Sequence, residues 1–379
     1  MTALQNTTDA VAAEPHEDRA FRPSVPGLAL RGLVYFGIAY VVLVLLTANA
    51  DRAGKAADAV IYAMVGLSLN IIIGYTGQLS LGHQGFFGAG AFAAAYSLTV
   101  HEVPFVLSLL IAMAVTSLFA LVLGLVALRI TGLYLALITL VFGLTLEVSL
   151  FEVEEFTNAG AGQPAFRPDF LVEPFRGVEN VRFYYFCLAL LAVVVYVDWR
   201  LTRTKAGRAL LALRENERVA AAFGINVVAF KLFAFVLAGA IAGLAGALFG
   251  YRYENVTGAD FDFFLALTFV LMVVVGGLNS RVGVILGAVL FSPFGLDNLF
   301  KIPRIHDFLA GVSWIGEQRV EFMPRMIGAF LLIQTVVLNP GGIAQQLRPV
   351  TRWLAGHRFT LHGDKDSGPG VVEGSSARA

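Results

Sequence analysis

The sequence predicts an all-α protein: a polytopic transmembrane helical bundle of about ten spans, with one further helix in a cytoplasmic loop. Three observations predict it. Hydrophobic residues make up 57% of the 379 and charged ones only 14%, against about 25% charged in an ordinary soluble domain. Apolar stretches close to the roughly 20 residues needed to cross a bilayer core recur along the chain. Basic residues gather in alternate connections between those stretches, as they do in cytoplasmic loops. The formal net charge is zero, so the basic excess of a nucleic-acid binder is missing and no nucleic acid is expected as a partner.

Residues 1–27 are polar, include Pro15, Pro23 and Pro26, and hold no apolar run long enough for a signal segment. They are expected to form a disordered cytoplasmic tail. Residues 28–50 make the first apolar stretch, and 57–74 the second. The third, 82–100, follows a stretch interrupted by Gly74, Tyr75, Thr76, Gly77, Gln78, Leu79, Ser80, Leu81, Gly82 and His83, a polar, helix-breaking run that reads either as a loop or as a broken helix at membrane depth. Spans 104–128 and 132–150 flank Arg129, and 183–199 ends on the basic cluster that begins at Arg200. Cys187, in that sixth span, is the single cysteine and cannot form an intrachain disulfide; it reads as apolar filler. The later spans are 228–250, 262–278, 281–297 and 321–338, before the helix stop Asn339, Pro340, Gly341 and Gly342.

With both termini inside, this threading puts 17 Lys and Arg residues in the cytoplasm and 10 outside. The chain is therefore expected as a multi-pass protein of the cell (inner) membrane. Residues 28–340 form the transmembrane domain, 201–226 a cytoplasmic loop within it, and 341–379 a cytoplasmic tail without expected order.

A search for catalytic chemistry comes up empty. The histidines at 16, 83, 101, 306, 357 and 362 are scattered without metal-ligand spacing, and there is no phosphate-binding GxxxxGK[ST] loop. No metal and no cofactor are expected in this chain, and it is not expected to be an enzyme. Glycine stands out instead. Gly239, Gly243, Gly246 and Gly250 share one face of the seventh span, where small residues let transmembrane backbones approach closely. They read as a helix-packing seam or as a thin wall beside a path. Gly82, Gly85 and Gly88, and Gly283 with Gly287, repeat the device.

The loop LTRTKAGRALLALRENERVAAAFGIN carries Leu210, Leu211, Leu213, Val219, Ala220 and Phe223 at roughly helical spacing among charges, which predicts a short amphipathic helix. Gly224 is placed to end it with positive φ. Such a helix suits a docking partner or anionic headgroups. Gln78, Ser80, His83 and Gln84 bring hydrogen-bonding groups to the break between the second and third spans, where irregular backbone is tolerated only in protein or beside a watery cavity. The other reading is a cytoplasmic turn whose side chains cap helix ends. Glu147 is an acid inside the fifth span, either functional or reaching for the interface.

Four blocks resemble the inner-membrane permease subunits of ABC importers for branched-chain amino acids, and the larger of their two permease types most closely. They are LNIIIGYTGQLSLGHQGFFGAGAF from Leu69, RITGLYLALITLVFG from Arg129, RALLALRENERVAAAFGINVVAFKLFAFVLAGAIAGLAGAL from Arg208, and VVVGGLNSRVGVILGAVL from Val273, in the family's order. The resemblance implies that the loop is an ATPase-coupling segment, with Arg214, Glu215, Asn216, Glu217, Ala220, Ala221 and Gly224 contacting the ATPase. It also implies a second permease subunit, two ATPase subunits that carry ATP and Mg, and an external substrate-binding protein. The substrate-path candidates are then Gln78, Ser80, His83, Gln84 and Glu147. Two departures bear on the cargo. Where the family reads Phe-Gly-Glu, this chain has Phe142, Gly143 and Leu144, with Glu147 one turn later, and Thr157 to Gly162 lacks the family's acid. Urea or short amides thus stay open as cargoes, as does a self-sufficient secondary transporter, although Glu147 is nearly the lone coupling carboxylate within a span.

Overall fold

The computed structural model describes residues 25–128, 130, 132–157, 161–166, 179–293, 295, 323–338 and 341–354. The chain divides into two units, Met1–Tyr40 with Leu347–Ala379, and Val41–Gln346. The expected tail over 1–27 falls almost wholly outside the described residues, since helix α1 begins at Val25 and runs to Tyr40. In the first unit α1 exposes Leu33, Tyr35 and Phe36, and Phe36 stacks on Tyr40 at 6.5 Å between ring centroids.

The second unit is helical almost throughout. After a π turn at Val41–Leu45 come α2 (Ala50–Asn70, extended by a second π turn at Ile71–Tyr75), α3 (His83–Thr99), α4 (Phe105–Ala127) and α5 (Leu133–Val148). A short helix α6 (Glu154–Thr157) and strand β1 (Gln163–Pro164) precede α7 (Glu179–Arg203). Two short helices, α8 (Lys205–Glu215) and α9 (Glu217–Ala222), lead into α10 (Val227–Tyr253). Strand β2 (Asn255–Val256) pairs antiparallel with β1, and α11 (Phe263–Gly276), α12 (Arg281–Phe291) and α13 (Met323–Leu338) follow; the last helix, α14 (Gly342–Leu354), has its residues from Leu347 on in the first unit.

Each stretch expected as a span carries a helix among its described residues, and among the described residues six helices are long and apolar enough to cross a membrane. α12 has only 11 residues, about 16 Å of rise, and folds back on α11 as a hairpin through Gly277, whose φ is +109°. The four-residue turn works because Gly276 and Gly283 meet backbone to backbone, leaving no room for a Cβ on either.

Burial ranks the helices. The apolar window of α2 is 100% buried inside the molecule and that of α10 is 72% buried, whereas α4, α5 and α7 fall to one third or less. α2 and α10 therefore form the centre. α10 packs on α3, α4 and α2, while α2 also packs on α7 and α12, and α3 on α5. The outer helices show large apolar side chains such as Leu110, Leu118, Val141 and Val193, more than half exposed. A lipid bilayer or a partner's apolar face satisfies such surfaces; water does not.

The glycine stripe of α10 serves two neighbours. Gly239 lies against Ala120 and the Thr116 carbonyl of α4, Gly243 against Thr116 and Gly90, and Gly246 against the Phe87 carbonyl of α3. Gly250 faces Val256 and Ala165 beside the β1–β2 pair. At that same end Gln163 donates to Thr99 at 2.6 Å. The loop of α8 and α9 lies at the opposite end, where Asn70 accepts from the Asn279 amide at 3.0 Å. Among the described residues from α2 to α12, the connections thus alternate between two ends, as threading of a bilayer demands.

Two local expectations change. The loop forms two helices instead of one, because Asn216 adopts extended backbone and its side chain caps the second by accepting from Arg218 and Val219. Residues 342–354, expected without order, form α14; Gly342 enters it at φ +64° and sits against Gly277.

Candidate functional site

The break between α2 and α3 is a buried polar segment. The π turn ends with Thr76 donating to the Ile72 carbonyl at 2.6 Å, and the Gln78 amide donates to the same oxygen at 3.2 Å. π turns of this kind concentrate at functional sites. Gly77 follows at φ +70°, and the Leu81 amide donates to Thr139 Oγ1 at 2.9 Å. Thr139 lies six residues into α5, about 9 Å along its axis. The extended segment therefore dips well inside the bundle, which is why α3 has only 17 residues.

Side chains of the break are turned inward. Gln78 is 6% exposed, Ser80 0%, His83 1% and Gln84 0%. Ser80 and His83 Nδ1 are 3.2 Å apart. Both amide atoms of Gln78, both of Gln84, and His83 Nε2 are buried without a hydrogen-bond partner among the described residues. Each such group costs about 1–3 kcal/mol when left unpaired. No side chain caps α3, so Gln78 and Ser80 do not fill the capping role.

α3 and α5 run parallel along a glycine seam: Gly82 meets the Thr139 carbonyl, and Gly85 meets the Cα of Gly143. The Gln84 amide lies against Gly143. Glu147 is four residues beyond Gly143, hence on the same face of α5, and its Oε2 is a further buried oxygen without a partner. All five residues singled out as path candidates thus fall on the break or on the seam that continues it.

The loop is tied to this break. Arg214, near the end of α8, donates from Nη1 to the Gly74 carbonyl at 2.8 Å, and its stem covers Gly77. Glu217, in the first turn of α9, pairs with Lys231 of α10 at 2.6 Å, and the Lys231 side chain is only 3% exposed. Of the seven expected ATPase contacts, Arg214, Glu217 and Ala220 are turned toward this chain, while Glu215, Asn216, Ala221 and Gly224 are exposed. Gly224 has φ +80° and donates to the Ala221 carbonyl at 2.9 Å, closing α9. Beside it runs a groove of about 680 Å³ bordered by Arg208, Glu215, Asn216, Ala220 and Phe223. Phe223 is 83% exposed.

A further knot was not read from the sequence. Tyr75 donates to Asp198 at 3.0 Å, and Arg281 pairs with the same carboxylate and reaches Thr202. Asp198 is fully buried. It joins the end of α7, the π turn before the break and the start of α12. The available signal was charge inside apolar runs: Asp198 and Lys231 each interrupt one. Among the described residues, no group of three or more His, Cys, Asp or Glu side chains is placed to hold a metal.

A family model described as the permease component of branched-chain amino acid transport systems matches residues 53–315. The high-affinity branched-chain amino acid transport permease LivM of Salmonella typhimurium is 32% identical over 78% of this chain and 70% of its own length. LivM of Escherichia coli is 34% identical over 76% and 69%. The autoinducer 2 import permease LsrC of an Enterobacter strain is 30% identical over 34% of this chain and 40% of its own. No solved structure matches.

Proposed function

The chain belongs to the family of permease components of branched-chain amino acid transport systems, and on that basis we propose that it lines the translocation path of an ATP-driven importer for these amino acids. It works with a second permease subunit, receives cargo from an external binding protein, and is driven by two ATPase subunits that hold ATP and Mg. It carries no cofactor and catalyses no reaction itself. The observation that carries this reading is the bond from Arg214 to the Gly74 carbonyl, which joins a solvent-facing loop to a buried polar break.

The mechanism follows from these ties. ATP binds the closed pair of ATPase subunits better than the open pair, and that difference in affinity biases the equilibrium between conformations. The partner's movement is received by α8 and α9, whose exposed edge carries Glu215, Ala221, Phe223 and Gly224. Arg214 carries it to the end of α2, and the Glu217–Lys231 pair carries it to α10. The break then shifts relative to α5 along the seam where Gly82 and Gly85 meet that helix. With the loop on the cytoplasmic side, both termini lie in the cytoplasm and the membrane is the inner one.

Uptake of labelled leucine by cells with and without the chain tests this. ATP-dependent uptake displaced by excess isoleucine and valine is expected. Uptake that follows the proton gradient alone, or displacement only by urea or acetamide in assays with those labels, overturns it.

A further inference from the structure

The unpartnered atoms on the α3–α5 seam differ in chemistry from one end to the other. At the break they belong to neutral amides and an imidazole: Gln78, His83 and Gln84. His83 and Gln84 stand in the first turn of α3, which has no side-chain cap, and Gln78 lies five residues before it. A helix start of this kind presents free N–H groups and the positive end of the helix dipole, which favour an anionic group. One turn outward the unpartnered atom is instead a carboxylate oxygen, Glu147 Oε2. A cargo ammonium can donate to such an oxygen in a charge-assisted hydrogen bond.

We propose that the seam binds the cargo as a zwitterion, its carboxylate at the first turn of α3 beside Gln84 and its ammonium on Glu147. The inference rests on the amino-acid reading above and adds the orientation and the residues that select it. Gly143, against which the Gln84 amide lies, and Glu147 are four residues apart on α5, about 6 Å along the axis. Gly85 and Gly143 bring the two backbones together here, with Phe142 and Leu146 of α5 packed against Gly85. Parting the helices there exposes both ends of the site together. Urea and acetamide lack both charges and gain from neither end.

The test is binding of labelled leucine to the assembled transporter in lipid nanodiscs without nucleotide, with isocaproate, which keeps only the carboxylate, and isoamylamine, which keeps only the ammonium, as competitors. Glu147→Gln is expected to weaken leucine and isoamylamine by roughly tenfold or more while isocaproate still competes. Gln84→Met is expected to do the reverse, weakening leucine and isocaproate and sparing isoamylamine. Its melting temperature should hold or rise, since a thioether there leaves no unpaired amide, whereas a purely structural Gln84 would lower it. If either variant weakens both fragments alike, or neither, the orientation is wrong even though leucine still binds. If the wild-type transporter neither binds nor takes up leucine, the amino-acid reading has failed and the orientation fails with it.

Discussion

Arg214 donates to the carbonyl of Gly74, 140 residues away in sequence, at 2.8 Å. Gly74 is the fourth residue of the π turn that ends α2, and its carbonyl accepts from the loop. One guanidinium therefore holds the loop against the break. Tyr75, the next residue, donates to the buried carboxylate of Asp198, so the same turn is also held from α7.

Replacing Arg214 with Met keeps the stem that covers Gly77 and removes the donor. Transport is expected to fall at least tenfold while ATP hydrolysis by the assembled complex persists, because a lost charge-assisted hydrogen bond of about 1.5–3 kcal/mol loosens the link without unfolding either end. Parallel measurement of leucine uptake and phosphate release checks this. Equal loss of both would mean that Arg214 serves assembly instead of coupling.

Glu217→Gln leaves Lys231 buried without its counter-charge. Glu217 is itself about a third exposed, at 37%, so the cost is expected near the low end for a broken buried pair, about 2 kcal/mol. The double variant Glu217→Gln with Lys231→Met should recover most of that loss. Thermal unfolding in detergent of the two single variants and the double variant completes the cycle.

Gly246→Leu drives a side chain into the Phe87 carbonyl, a backbone atom that cannot step aside. A cost of at least about 3 kcal/mol is expected, seen as aggregation or failure to insert. Gly37→Leu is the control, because nothing lies within 4 Å of its Cβ position. Fluorescence-detected size exclusion of tagged variants separates the two.

Phe223 is 83% exposed beside Gly224 at the edge of the groove. Phe223→Ser is expected to reduce co-purification of the ATPase subunits severalfold, as loss of an aromatic anchor does at interfaces, with an unchanged melting temperature for the chain. Retention of the ATPase at the parental level would remove this face as the docking edge.

Much of the loop was legible because its signals are local. Gly224 ends a run of apolar residues at helical spacing, and its φ of +80° is the conformation for which glycine is suited. The split at Asn216 was equally visible in principle, since Asn followed by Glu is a helix start; the apolar spacing across it concealed the stop. α14 was missed because Asn339–Gly342 reads as a terminator, although Ile343, Leu347, Val350 and Leu354 repeat at helical spacing beyond it. The candidate path was half legible: Gln78, Ser80, His83 and Gln84 are polar residues in an apolar setting, but nothing local says that Glu147 shares their seam.

Helix content, span positions and the glycine faces follow from composition and period, because a bilayer rewards runs of apolar residues and close backbone approach wherever they occur. Pairings across the bundle do not follow from them. That Arg214 meets Gly74, that Asp198 gathers Tyr75 and Arg281, and that Gly246 faces Phe87 depend on which helices become neighbours. Those choices belong to the packing of the whole chain, since a buried charge or an unused carbonyl finds its partner only after helices distant in sequence have docked.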